Sequence, residues 1–498
     1  MPLLKELETL KQNRSYKHWA PNGAVRFLAR SETLASYLLK VFAVVIGIGL
    51  LLISNTNHRS IAQNREVTFS KDVAPIVYEH CAACHRPDDI APFSILDYQD
   101  AVTFKDAIKQ KVAAREMPPW HADPHYGEFA NAARLTQQEI DTIVNWVAQG
   151  AKQGDPKDLP ELPKKITDWE IGKPDYVLAM TQAYTVQAHS PDAYVYVTFP
   201  TKFKEDKWVQ AAEIVPGNKR VVHHVIAHVL PPQAQTDAAK RLGGEFPQAD
   251  ANPSSLFYKQ GSLSRMKMDA PVVDDGANAA NGGSLFKRPT GDDGGAGYSI
   301  LLASYAPGKG PDIYPDGTAK KIPAGSTVVL QIHYSGFHGS LDTPQKDQTI
   351  VGMIFAKSPP VKRAITSTVP NHFFKIPAGA ANHQVTAAYT FDRDIELISY
   401  MPHMHLRGKD MRYEVVYPNG KRETLLWVPR FQFNWQTVYR LKNPLPVPKG
   451  SKMIVTAHFD NSAKNRHNPD PAKAVRWGDP SYDEMMIGWI EYTVPLDK

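Results

Sequence analysis

The chain has 498 residues, 42% of them hydrophobic, with 57 Lys and Arg against 51 Asp and Glu and a formal net charge of +6. Such a length exceeds one hydrophobic core and predicts about three domains. The mild charge balance, with no basic patch interleaved with aromatics, excludes a nucleic-acid partner.

The first segment, residues 1–33, is basic and is read as cytoplasmic. Lys5, Lys11, Arg14, Lys17, Arg26 and Arg30 stand in it against Glu6, Glu8 and Glu32. Residues 34–54 follow with an apolar run from Val41 to Ile53, preceded by Leu34 to Lys40. Lys40 can snorkel to the basic side, which makes the segment long enough to span a bilayer. A cleaved signal peptide is the alternative, but the basic region is long for one and no A-x-A site follows. An uncleaved signal anchor is therefore predicted, with a cytoplasmic N-terminus and everything after Asn55 outside. This corresponds to a single-pass protein of a bacterial inner membrane with a periplasmic body.

Residues 66–155 are predicted to form an all-α cytochrome c domain. Phe69 to His80 has apolar residues at helical spacing, and Leu135 to Gln149 repeats the pattern behind a capping box, Thr136-Gln-Gln-Glu139, with Gly150 as a stop. Between them lies Cys81-Ala82-Ala83-Cys84-His85, which holds both cysteines of the chain. This is the attachment string of a c-type haem: two thiols for the vinyl groups and an adjacent imidazole for the iron. A zinc site would need further soft ligands, and no other cysteine exists. Met117, in Glu116-Met117-Pro118-Pro119-Trp120, is the predicted sixth iron ligand, with His121 and His125 as rivals. With both cysteines taken, any further metal must be held by His, Met, carboxylate or backbone.

Residues 156–175 read as a linker rich in Pro, Lys, Asp and Glu. Beyond it the texture is β. Ala193 to Phe199, Val328 to Tyr334, Ala387 to Phe391 and Arg412 to Tyr417 are strand-like, the last followed by the turn Pro418-Asn419-Gly420. Many short strands predict two sandwiches, residues 176–365 and 366–498, divided near Pro359 to Pro370. Asp274-Asp275-Gly276 and Asp292-Asp293-Gly294 lie in a Gly- and Asp-rich stretch that reads as a solvated loop, since EF-hand spacing is absent.

The β region concentrates histidines at His223-His224 with His228, at His333, at His403-Met404-His405, and in the scattered His372, His383, His458 and His467. His403 and His405 are two apart, so a strand projects both to one face. His223 and His224 are adjacent and would point to opposite faces, so they can share an ion only near a strand end or bulge. His224 with His228 is the competing pair. Imidazole with thioether suits copper, whereas imidazole alone allows zinc equally.

His223-His224, His333 in Gln-Ile-His-Tyr, His403-Met-His405, and Met485 in Asp-Glu-Met-Met occur in the order of the type II, ascorbate-dependent copper monooxygenases. This family includes peptidylglycine α-hydroxylating monooxygenase and dopamine β-monooxygenase. The chain resembles that family over residues 176 to 498, and most resembles bacterial members with an N-terminal cytochrome c domain. The resemblance implies two jelly-roll-like domains, each with one copper. His223, His224 and His333 would hold the electron-storage ion. His403, His405 and Met485 would hold the catalytic one, with Met486 as the rival of Met485.

Two departures stand out. The disulfides of the animal enzymes are missing, and the arginine that peptide-hydroxylating members place two residues before His-x-His is Met401. A peptide C-terminus is therefore not the expected substrate. The expected activity is hydroxylation of a C–H bond of a small molecule with O2, by one covalent haem c and two copper ions. Electrons would come from an ascorbate-like reductant or a respiratory or periplasmic redox protein. The rival reading is a non-catalytic electron-transfer or structural subunit of a larger membrane redox complex. Copper storage is weaker still, because no Met- or His-rich tract is present.

Overall fold

The computed structural model describes residues 65–87, 89–163, 169–189, 193–233, 235, 258–259, 300–334, 342–478 and 481–496. The predicted basic segment and membrane anchor, residues 1–33 and 34–54, lie outside these, as do Asp274-Asp275 and Asp292-Asp293. Residues 67–498 form one compact unit.

The β region is built around a nine-stranded sheet that runs through two sandwiches. Its order is Tyr176–Ala179, Ile350–Phe355, Lys207–Val215, Thr318–Ile322, Lys362–Pro370, Ile487–Pro495, Ile395–His403 and Tyr439–Val447, with Asp312–Ile313 pairing off Lys207–Val215. A five-stranded sheet of Tyr258–Lys259, Ala193–Pro200, Thr327–Tyr334, Val222–Leu230 and Ile300–Tyr305 faces the first half. A four-stranded sheet of His383–Thr390, Lys452–Phe459, Gly408–Val416 and Arg422–Val428 faces the second.

Alternation along the strands explains both cores. Val195, Val197, Val225, Ala227, Leu330 and Ile332 meet Ile214, Val351 and Met353 in the first. Met411, Tyr413, Val415, Val455 and Ala457 meet Leu397, Tyr400, Ile490 and Tyr492 in the second. The residues that meet across the sandwich lie at alternate positions along their strands, as sandwich packing requires. The hairpin turn lies where its residues predict it, with Gly420 at a φ of 84° between Gly408–Val416 and Arg422–Val428.

The two sandwiches meet within the shared sheet. A short parallel ladder pairs Lys362 with Thr318 and Arg363 with Ala319. Beside it Lys320, 1% exposed, reaches across to Glu491 at 2.8 Å. Tyr314 and Thr366 also donate to the Glu491 carboxylate. Burying this ion pair is tolerable because hydroxyl donors complete the carboxylate shell.

The expected fold class needs correction. The described residues are mostly β with four α-helices, and none of these helices is long and apolar enough to cross a membrane. A separate all-α cytochrome c domain is not seen. The helices α1 (Ala74–His80), α2 (Tyr98–Thr103), α3 (Lys105–Ala113) and α4 (Gln137–Ala148) do share a small core around Phe69, Val77, Ile143 and Trp146. The Thr136–Glu139 capping box opens α4. Yet the chain between α3 and α4 leaves that core and joins the second sandwich. Trp120 and Ala122 are buried in the sandwich core, and Trp120 meets Tyr439 edge-on at 4.9 Å. Asp123 N–H donates to Trp427 O, Ala130 N–H to Arg440 O, and Lys442 N–H to Glu128 O. The apolar payload of Trp120 and Phe129 drives this stitching. The helices are a lobe of a β protein.

Candidate metal centres

The first histidine cluster rests on a bulge. His333 pairs with His224 across the sheet, but the next residue, Tyr334, pairs with Val222. His223 is the extra residue, and a bulge re-aims a side chain that regular alternation would send to the other face. The ligand atoms of His223, His224 and His333 all lie within 4.8 Å of one another, and all three residues are buried. His223 Nδ1 is 3.1 Å from His224 Nδ1 and 3.2 Å from His333 Nδ1. An imidazole nitrogen carries one hydrogen or one lone pair, so hydrogen bonds serve three mutually facing nitrogens poorly. A cation among the three Nδ1 atoms satisfies them all, so the donor set fits a metal.

Tyr194 stacks on His333 with ring centroids 4.2 Å apart and planes within 6°. Burial pushes His224 well below the usual histidine range, and His333, His223, His403 and His405 add to the effect. His224 is thus held as neutral, ligand-competent imidazole. His228, the rival partner, lies four residues further along the strand and outside the cluster.

The second set lies at the end of Ile395–His403. Met404 is buried in the sandwich core, and His403 and His405 flank it with ring centroids 5.4 Å apart. His403 Nδ1 meets Gln436 Oε1 at 2.9 Å, and His405 Nδ1 meets the Asp483 carbonyl at 3.2 Å. Both partners are acceptors, so each Nδ1 donates and each Nε2 keeps its lone pair for a metal. The antiparallel register pairs His403 with Ile487. Continued for two residues, it sets His405 opposite Met485. Met485 is half-buried, whereas Met486 is fully buried in the core, which leaves Met485 as the thioether available to a site.

Glu484 is the keystone below this set. It is fully buried and accepts the His405 N–H at 2.9 Å and the Arg407 N–H at 2.6 Å. Burial pushes it up to about 8, against the pull of these amides and the Arg407 guanidinium. Arg407 donates onward to Asn461 Oδ1 and the Tyr482 carbonyl. Gln436, Glu484 and Arg407 were not singled out as supports in the sequence. Only the position of Arg407 beside His-x-His and of Glu484 beside Met485 carried any signal for them.

Cys81 and Cys84 are both half-buried where α1 ends. Burial and then the Cys84 charge push the Cys81 thiol up to about 12, and burial and then Asp89 push Cys84 up to about 11. Such surroundings disfavour thiolate and suit uncharged thioethers. His85 Nδ1 meets the Phe93 carbonyl at 3.1 Å, leaving Nε2 as its metal-facing nitrogen. The three residues therefore fit covalent haem. Met117 is half-buried after α3. The rivals are placed elsewhere. His121 is buried against Pro402 and Tyr439 of the second sandwich, and His125 is exposed beside Asp123.

The scattered histidines have other company. His458 pairs with Asp410 at 2.8 Å, and His372 lies edge-on to Trp477 at 4.0 Å.

Residues 367–497 match the family model described as copper type II ascorbate-dependent monooxygenase, C-terminal domain. No curated protein matches the chain. Among solved structures, a subviral particle of infectious bursal disease virus VP2 matches at 8% identity and a TM-score of 0.18, covering 67% of this chain and 75% of that one. A putative secreted protein from Eubacterium rectale matches at 12% identity and a TM-score of 0.15, covering 60% and 69%. Likenesses this weak carry no argument.

Proposed function

We propose that this chain, whose residues 367–497 carry a copper-dependent monooxygenase domain, is a membrane-anchored haem and copper monooxygenase that hydroxylates a C–H bond of a small substrate with O2. One oxygen atom enters the product and the other leaves as water, which consumes two electrons and two protons. When bound, copper supplies one-electron redox chemistry toward dioxygen, and haem supplies a one-electron relay. The observation that carries the reading is the pair of imidazole sets, one in each sandwich. In the first set the Nδ1 atoms converge, and in the second acceptors hold Nδ1 so that Nε2 faces out.

Each residue has a role in that reading. His223, His224 and His333 would hold the electron-storage ion. His403, His405 and the Met485 thioether would hold the catalytic ion. Gln436 and the Asp483 carbonyl fix the tautomers, and Glu484 pins the backbone of His405. Cys81, Cys84 and His85 would hold haem c, with the Met117 thioether as the proposed further iron ligand.

A seam between the helical lobe and the first sandwich joins the residues that would hold haem to those that would hold the first copper. Asp89, beside the haem string, pairs with Lys219 at 3.0 Å, and Lys219 stands four residues before His223. Tyr305 pairs with Val225, the neighbour of His224. The reductant is ascorbate-like or a periplasmic redox protein. The anchor at residues 34–54 would hold the body on the periplasmic face. Quantifying covalent haem and copper per purified chain, coupled to a substrate screen by oxygen uptake, tests the proposal. One haem, two coppers and substrate-dependent uptake are expected. Haem and copper without uptake on any substrate, in a stoichiometric membrane complex, would replace it with an electron-transfer subunit.

A further inference from the structure

One loop touches both histidine sets. It runs from Val428 to Tyr439, linking the four-stranded sheet to the nine-stranded one. The ring of Phe433 stacks on His223 at 5.4 Å with planes 27° apart. The same ring meets His405 edge-on at 5.9 Å. Phe433 is thus a shared wall between the two sets. Three residues on, Gln436 is buried and spends both ends of its amide. Its Oε1 meets His403 Nδ1 at 2.9 Å, and its Nε2 donates to the Phe433 carbonyl at 2.7 Å. The loop is itself anchored, since the Phe431 N–H donates to Lys409 O at 2.9 Å. A Cβ on Gly408 would collide with the Phe431 ring at 2.9 Å, so the loop packs tightly on the strand that follows His405.

These contacts form an unbroken chain from His403 through the Gln436 amide to the Phe433 backbone, and through its ring to His223 and His405. We infer that Phe433 and Gln436 are positioning residues that couple the two metal sites. A change in how His403 is held moves Gln436, then Phe433, and so the orientation of His223 across the boundary between sandwiches. Interiors packed at this density transmit displacement between neighbours, and partners of ligating histidines commonly change metal affinity by about 10–100-fold. The inference rests on the copper reading above and adds to it a device that makes the first site sense the second.

The test is electron paramagnetic resonance and copper titration of the full-length, Cu(II)-loaded protein. The wild type is compared with Gln436→Leu, Phe433→Leu and the double variant. Gln436→Leu removes the acceptor from His403, a member of the second set, yet both copper signals are expected to shift. In the Phe433→Leu background, Gln436→Leu should shift only the signal of the second site. Phe433→Tyr should restore the wild-type first-site signal. Should Phe433→Leu fail to fold, Phe433→Met serves as the volume-conserving replacement. Confinement of the Gln436→Leu effect to the second site overturns the coupling. If the wild type binds no copper, the copper reading fails instead, and the two failures are distinguishable.

Discussion

His333 stands directly across from His224, and the register breaks at the very next residue, so that His223 becomes the bulged member of its strand. The bulge turns two adjacent side chains, which a regular strand would part, into neighbours with Nδ1 atoms 3.1 Å apart. The first metal centre therefore depends on a backbone irregularity as much as on three imidazoles. His333→Ala should lower bound copper from two ions per chain to one while leaving the second site's spectrum in place. Metal analysis after dialysis checks this, and retention of two tightly bound ions would assign the cluster to packing.

Both oxygens of Glu484 face backbone N–H donors, from His405 and Arg407, so the group sits there as a carboxylate despite the upward push of burial. Gln at this position offers one acceptor for two donors and sets an amide N–H₂ against the other. Glu484→Gln should cost about 1–3 kcal/mol of stability and weaken the second copper site by about 10–100-fold. Denaturant unfolding and copper titration report the two effects separately.

Acid sensitivity should centre on the ion pair between the sandwiches. Burial raises Glu491, but the Lys320 ammonium and the Tyr314 and Thr366 hydroxyls override it and hold the carboxylate well below its ordinary range. Its folded value thus lies below the ordinary 4.5, and the unfolded chain takes the proton first. This contribution is complete above the ordinary value of 4.5 and is lost progressively as pH falls below it through the depressed folded value. Glu491→Gln should flatten that slope. At neutral pH it should destabilise by about 3–5 kcal/mol, because Lys320 is left buried without its carboxylate. Stability curves of both proteins between pH 3 and 7 decide it.

Lys219 is partly exposed but Asp89 is buried, so removing the ammonium leaves a desolvated carboxylate and should cost about 1–3 kcal/mol. Its predicted importance is orientation of the helical lobe on the first sandwich. Lys219→Gln should leave haem content nearly unchanged, lower the melting temperature modestly and slow electron transfer from haem to copper. Flash photolysis or stopped-flow absorbance resolves this, and an unchanged rate would remove the seam from the electron path.

The strands were legible because Val, Ile, Tyr and Thr alternate with the period that a half-buried strand imposes, as in Ala193–Pro200. The Thr136–Glu139 box marked its helix by local chemistry alone. The bulge at His223 was not legible, since it is set by the pairing of two strands more than a hundred residues apart. Gln436 and Phe433 were also hidden, because their roles arise only when a loop folds over both sites. The expectation of a separate helical domain failed at Trp120 and Phe129. Large aromatics in a Pro-rich loop needed a core, and the second sandwich provides it.

The central claim, that haem feeds copper in one chain, is tested most directly by rapid mixing of the fully reduced protein with O2 while haem absorbance is followed. The account predicts rapid haem oxidation in copper-loaded protein and slow oxidation after copper is removed, with the fast phase restored by adding copper back. Haem oxidation by O2 at the same rate with and without copper would contradict it.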